Sequence, residues 1–197
     1  MDTIQDILQA IGLGLAFGLR PVLAPLVVAL CASANFAVDF SGTPLSWVES
    51  TPFLVFLVAF AVAGLIEASR SAKGKGIADQ IWLAPAVAFG GIFGAGSLAE
   101  HDGSWILGAV IGGAAALLGW YSTSSLVIGA RKRLEGEREA SIILPAAVEV
   151  VAVLTAFLSV IFPWLAIVAL VAVLVLFVRG RQTGDGGRYA GLRTLSK

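Results

Sequence analysis

Apolar residues run along this chain in long unbroken blocks, with polar residues confined to short gaps between them. Such blocks lack the period-2 alternation of half-buried strands and are too long for ordinary core helices. About twenty apolar residues cross a hydrocarbon core of roughly 30 Å, and six stretches approach or meet that length: 7–32, 51–69, 79–99, 105–129, 141–161 and 163–180. The predicted fold class is therefore all-α, a polytopic membrane protein with about six transmembrane helices. The first stretch is too long for one upright helix and holds Arg20-Pro21 near its middle, with Pro25 just beyond. Proline removes a backbone donor and clashes with the preceding turn, so a long kinked or broken first helix is expected.

The gaps differ in charge, and that difference predicts orientation. Of thirteen Lys and Arg residues only Arg20 falls deep inside a run; the rest occupy alternate gaps and the end of the chain from Arg179, where the last run ends. Arg70, Lys73 and Lys75 follow the second run, and Arg131, Lys132, Arg133 and Arg138 follow the fourth. Arg179, Arg181, Arg188, Arg193 and Lys197 lie at the end. Basic loops stay cytoplasmic. An even number of crossings satisfies every gap if both termini are cytoplasmic; a multi-pass protein of a prokaryotic cytoplasmic (inner) membrane is the expectation. Counted as two crossings, the first run would put Arg70–Lys75 outside, so parity argues for one tilted or broken span. Trp47, Trp105 and Trp164 then fall at outer ends and Trp82 and Trp120 toward inner ends, as indole rings at the headgroup level would. The segment from Asn35 to Ser50 reads as an external loop, and Phe162-Pro163 as a tight external hairpin. Residues 1–183 form a single transmembrane helical domain, with a flexible cytoplasmic tail at 184–197 marked by Gly184–Gly187.

Composition removes several function classes. The chain is 58% hydrophobic and 13% charged, with a mean hydropathy of +0.92, outside the range of soluble domains. Thirteen acidic residues balance the thirteen basic ones, so nothing supports nucleic-acid binding. One cysteine, Cys31, forms no internal disulfide, and no His/Cys cluster has the spacing of metal ligands, so neither a metal nor a cofactor is expected. Asp2 and Asp6 precede the first run where a signal peptide carries basic residues, so a removable leader is not expected. No nucleophile with an orienting base is visible, and an enzyme is not expected.

Arg20 and Glu149 are the candidate ligand residues. Each falls deep inside an apolar run, where a lone charge costs at least about 2.5 kcal/mol, so each seeks a partner and they form a natural pair. Pro21 and Pro145 accompany them and deprive the preceding turns of backbone donors, a pattern that in broken helices frees carbonyls for an ion or polar headgroup. A register-fixing buried ion pair is the plain reading and a substrate or proton site the alternative. Glu67, with Asp79 across the basic loop, reads as an interfacial carboxylate paired with Arg70, Lys73 or Lys75. Tyr121 and the hydroxyls of Ser122 to Ser125 suit either carbonyl capping or a cytoplasmic vestibule, and Glu100-His101-Asp102 a solvated turn able to titrate. Gly14 and Gly18, Gly90 and Gly94, and Gly108 and Gly112 repeat at four-residue spacing, which lets helix backbones touch. Intramolecular packing, a glycine-lined path and a homodimer seam all fit that spacing.

Several short patterns coincide: Gly18-Leu19-Arg20-Pro21 ending a glycine-rich first run, the Glu67-Ala68-Ser69-Arg70 turn, Asp79 with Pro85, and Pro145 with Glu149. In this layout, over nearly the whole length, the chain resembles the bacterial membrane family called domain of unknown function 4126. Two positions depart from the family pattern: Ser69 stands where an Asp is usual, and Leu83-Ala84 where a basic residue precedes the proline. The resemblance implies the architecture and draws interest to Arg20, Glu67 and Glu149, but names no substrate. Two functions are carried forward. One is passage of a small ion or polar lipid headgroup near Arg20 and Glu149. The other is a non-catalytic accessory or scaffold role, docking glycine-rich faces to a larger membrane complex. Membrane lipids are the expected partners, with a homo-oligomer or larger complex as further possibilities.

Overall fold

The computed structural model describes residues 3–71, 78–101, 103–133 and 138–190, without side-chain detail for 69–71, 78–79, 125–126, 128–133, 138–142 and 179–190. The described residues are helical apart from turns and one loop. The helices are α1 (Thr3–Leu19), α2 (Ala24–Ser33), α3 (Thr51–Ser71), α4 (Ala78–Ile81), α5 (Leu83–Ala99), α6 (Trp105–Arg133), α7 (Arg138–Ile161) and α8 (Leu165–Ala190), with a 3-10 turn at Ser46–Glu49. Three of them hold apolar stretches long enough to cross a membrane: Thr51–Ala68 in α3, Trp105–Ser124 in α6 and Ile143–Ile161 in α7. The apolar helices Thr3–Leu19, Ala24–Ser33, Leu83–Ala99 and Leu165–Val178 are shorter. Their outward faces carry large apolar side chains such as Val62 on α3, Leu154 on α7 and Val171 on α8, which suits a lipid surround and makes this a membrane protein.

The first run does not form one span. After Leu19 the chain turns through residues 20–23 and returns as α2, so α1 and α2 make a helical hairpin. Pro21 cannot donate to the Phe17 carbonyl nor Pro25 to that of Pro21, so the helix breaks here. Contacts at the open end fix the reversal. Near the start of α1, Asp6 accepts from Ser97 Oγ through its carbonyl (3.1 Å) and its carboxylate lies 3.2 Å from His101 Nδ1. Beyond the end of α2, Asp39 N–H donates to Glu100 (3.3 Å). Both ends of the hairpin therefore meet the α5–α6 turn.

The first run was expected to make one kinked span, and the structure folds it back as a hairpin instead. Gly12 of α1 approaches Ser159 and Ala166, at the α7–α8 junction, so α8 starts beside the beginning of α1 and runs away from it. Thr3 and Ala190 consequently stand at opposite ends of the bundle. A hairpin adds no net passage along the bundle, whereas a kinked span adds one. Helix α8 continues through Gly184–Gly187 to Ala190, and residues 191–197 of the expected tail lie outside the described residues. So do Lys73 and Lys75, while the other basic residues from Arg70 onward are described in backbone at most.

Helix α1 is the hub, packed on α5, α6, α7 and α8. Its glycines set the closest approaches. A Cβ on Gly14 or Gly18 would fall within 3.0 Å of the Gly112 or Ala116 carbonyl of α6, and one on Gly90 or Gly94 within 3.0 Å of α6 backbone at Gly112 or Gly108. These glycine pairs, with Gly108 and Gly112 facing α5, meet one another inside a single chain. Helix α2 has 10 residues against 17 in α1, a shortfall of roughly 10 Å at 1.5 Å per residue. The loop 34–50 makes up the difference by folding inward. Asn35 and Ala37 take positive φ, Phe40 is buried against Phe93 at a centroid distance of 6.1 Å, and Glu49 accepts from the Phe40 N–H.

Candidate functional site

The turn between α1 and α2 lies far inside the bundle. From Ile161 to Glu149 on α7 is twelve residues, and from Thr51 to Gly64 on α3 thirteen, so the turn is roughly 18–20 Å from the end that carries Trp47, Trp105 and Trp164. At this depth Glu149 Oε2 accepts from Arg20 Nε at 3.1 Å. Its other oxygen, Oε1, accepts from the Leu23 N–H at 2.6 Å. Leu23 is the residue before α2, and no side chain of its own helix caps it. A carboxylate here satisfies an orphan donor at a helix start and meets the positive end of the helix dipole. Glu149 thus ties α7 to both strokes of the hairpin. Sequence reading paired the two charges but did not identify Leu23, because backbone donors carry no sequence signal.

The pair is unevenly covered: the Glu149 side chain is 7% exposed and that of Arg20 23%. Arg20 lines a half-open cleft of about 190 Å³ whose floor also includes Val22 and Glu149. Helix α3 supplies one wall through Gly64, Leu65 and Ala68, and α7 supplies the other through Pro145 and Ala146. The cleft exists because α3 packs on α2, on the 3-10 turn and, through Phe60, on Trp82 and Phe89, leaving its other side spaced from α7. Gly64 is required where α3 meets the turn, since a Cβ there would fall within 3.0 Å of the Val22 methyls. Pro145, one turn before Glu149, leaves the Ser141 carbonyl without its helical donor.

The remaining candidates lie apart. Glu67 is half-buried on α3, one position from Ala68 but not part of the cleft, and the side chains proposed to pair with it are outside the described residues. Ser122, Thr123 and Ser124 bond back to the carbonyls of Leu118, Gly119 and Trp120 at 2.8–2.9 Å, so these hydroxyls bond within α6. Among the described residues no group of three His, Cys, Asp or Glu side chains is placed to hold a metal.

A second polar cluster, not singled out from the sequence, closes the opposite end of α1. Asp6, Gln9 and Ser97 are buried, with Ser97 Oγ 2.8 Å from Gln9 Oε1. Asp6 and Gln9 stand three residues apart on one face of an otherwise apolar helix, and that spacing was the available signal. Beside them burial raises the Glu100 carboxyl above its ordinary pKa, more than the His101 charge and the Asp39 N–H lower it. Asp39 is shifted the other way by hydrogen bonds from Ser41. A carboxyl with a raised folded pKa disfavours the fold when ionised, so its effect disappears as pH falls below the unfolded value. Glu100→Gln, which keeps an acceptor for Asp39, is therefore expected to raise the melting temperature at pH 7. The gain should shrink steadily as pH falls through the raised Glu100 pKa toward the ordinary carboxylate value. A gain constant from pH 7 to pH 4 would assign the effect to packing.

A family model described as Domain of unknown function (DUF4126) matches residues 7–182. No curated protein and no solved structure matches the chain.

Proposed function

The chain belongs to the DUF4126 family, and from the geometry of the hairpin turn we propose that it is a membrane protein that passes or exchanges a small ion or polar lipid headgroup at the Arg20 cleft. The supporting observation is a charged pair set at a helix break beside a half-open cavity. Irregular backbone deep in a membrane is tolerated only where it is buried in protein or lines a cavity, and broken helices of this kind form the midplane sites of transporters. Intramembrane charges mark such paths by default. A pair serving register alone needs no cavity beside it.

In this reading the loop 34–50 and the turns at 100–104 and 162–164 face outward together with Thr3, while the basic gaps at 70–77 and 131–138 face the cytoplasm. The re-entrant hairpin plus α3, α5, α6, α7 and α8 then satisfies every basic loop, with the beginning of the chain outside. In a Cys31→Ala background, cysteines at Thr3, Ser41 and Ser104 should all label with an impermeant external reagent, and one at Gly136 should not. Protection of Thr3 with labelling of Ser41 would reject this arrangement.

Function itself is tested in reconstituted vesicles. The protein should accelerate anion efflux or flipping of a fluorescent phospholipid over protein-free vesicles, and Ala146→Phe, which fills the cleft, should return the rate to background. Parent protein that accelerates neither process would overturn the reading in favour of a non-catalytic accessory subunit.

A further inference from the structure

We infer that the cleft is specific for an oxyanion of the phosphate or carboxylate class, held by the terminal nitrogens of Arg20 while Glu149 keeps its present bonds. The inference rests on the reading of the cleft as a ligand site and narrows what that site accepts. Both Glu149 oxygens are engaged, Oε1 by the Leu23 N–H and Oε2 by Arg20 Nε, and the group is nearly covered. The guanidinium presents five N–H donors in a planar fork, of which Glu149 takes the one on Nε. The contact shown for Arg20 is the one through Nε, and its side chain borders the cleft. The rest of the cleft is apolar: Val22, Gly64, Leu65 and Ala68, with Pro145 and Ala146 opposite.

The polar valence offered to a ligand is therefore donor in character. A cation or an ammonium headgroup would find the one carboxylate already bound on both oxygens and an arginine charge beside it. An oxyanion would find two parallel N–H donors, the geometry that carboxylate and phosphate oxygens match bidentately. Glu149 acts here as a positioning residue. By holding Nε it fixes the plane of the fork, so that little rotamer freedom remains to be lost on binding. A cavity of about 190 Å³ has room for a phosphate group but not for the acyl chains of a lipid, which would have to leave between α3 and α7. A free phosphate and a phosphate headgroup share this chemistry.

The test is calorimetric titration of the full chain in detergent micelles with inorganic phosphate, dihexanoyl phosphatidic acid and choline chloride. Binding of phosphatidic acid with tenfold or weaker response to inorganic phosphate supports an oxyanion delivered on a lipid. Comparable binding of both supports a soluble oxyanion. Binding of choline without either phosphate species would overturn the oxyanion class while leaving a ligand site in place, and no binding of any probe would overturn both. Arg20→Lys keeps the charge but removes the fork, and should weaken oxyanion binding at least tenfold; unchanged affinity would overturn the bidentate mode. Should that variant fail to fold, Ala146→Phe leaves the ion pair intact and should abolish binding, whereas full binding by it would place the anion elsewhere.

Discussion

Glu149→Leu is expected to destabilise the protein by about 3–5 kcal/mol, the usual cost of stripping one partner from a buried ion pair. The substitution leaves the Arg20 charge inside the bundle and removes the acceptor of the Leu23 N–H at the start of α2. Arg20→Leu should cost less, roughly 2.5 kcal/mol, because Glu149 keeps one of its two partners and only its charge is left unbalanced. The double variant should recover most of the charge penalty yet remain about 1–3 kcal/mol below the parent, the cost of the unsatisfied Leu23 donor. A double-mutant cycle by unfolding in mixed micelles measures this directly, and additive single effects would show that the two charges are not coupled. The recovered double variant should also lose oxyanion binding, since the fork is gone. A pair serving only to fix helix register predicts no such loss.

Gly112→Leu is the second large effect. Gly112 is the point where α6 meets both neighbours: a Cβ on it falls within 3.0 Å of the Gly90 carbonyl, and a Cβ on Gly14 falls within 3.0 Å of the Gly112 carbonyl. Atoms there belong to backbone, which cannot rotate away as a side chain would, so a leucine must push α5 from α6. Overpacking typically costs about 1–3 kcal/mol and occasionally more, and with rigid atoms on the far side the upper end or outright failure to fold is expected. Leu117→Ala on the same helix is the control. Leu117 is 38% exposed, and its truncation should cost about 0.5 kcal/mol or less, as for most surface changes. Melting temperature and the yield of monodisperse protein distinguish the two. Equal values would mean that the close approach of α5 and α6 contributes nothing to the fold.

The charge pair was legible because two ionisable residues in otherwise apolar runs have few ways to be stabilised. The glycine repeats were legible as contact surfaces, but not which contacts they make, because four-residue spacing is shared by every helix interface that brings backbones together. Gly64, Leu65 and Ala68 could not be assigned to the site in advance. They are ordinary apolar-run residues, and they matter only because α3 stands clear of α7 while touching Val22. Asp6, Gln9 and Ser97 are separated by most of the first half of the chain, and their association depends on α1 entering beside the α5–α6 turn.

What the sequence by itself determined is the helical membrane class, the depth of Arg20 and Glu149 within apolar runs, and the alternation of basic gaps. These follow from transfer free energies that depend on residue type and run length alone. The direction of the first helix was decided only by tertiary structure. Arg20-Pro21 and Pro25 break the helix whichever way the chain then goes, and removal of backbone donors does not by itself distinguish a kink from a reversal. The choice was made by contacts distant in sequence: Asp6 with His101, Gly12 with Ser159, Phe40 with Phe93, and Glu149 with the Leu23 N–H. Each buries a group that a straight first span would leave without its partner, and together they turn one apparent crossing into a hairpin with a charged cleft at its tip.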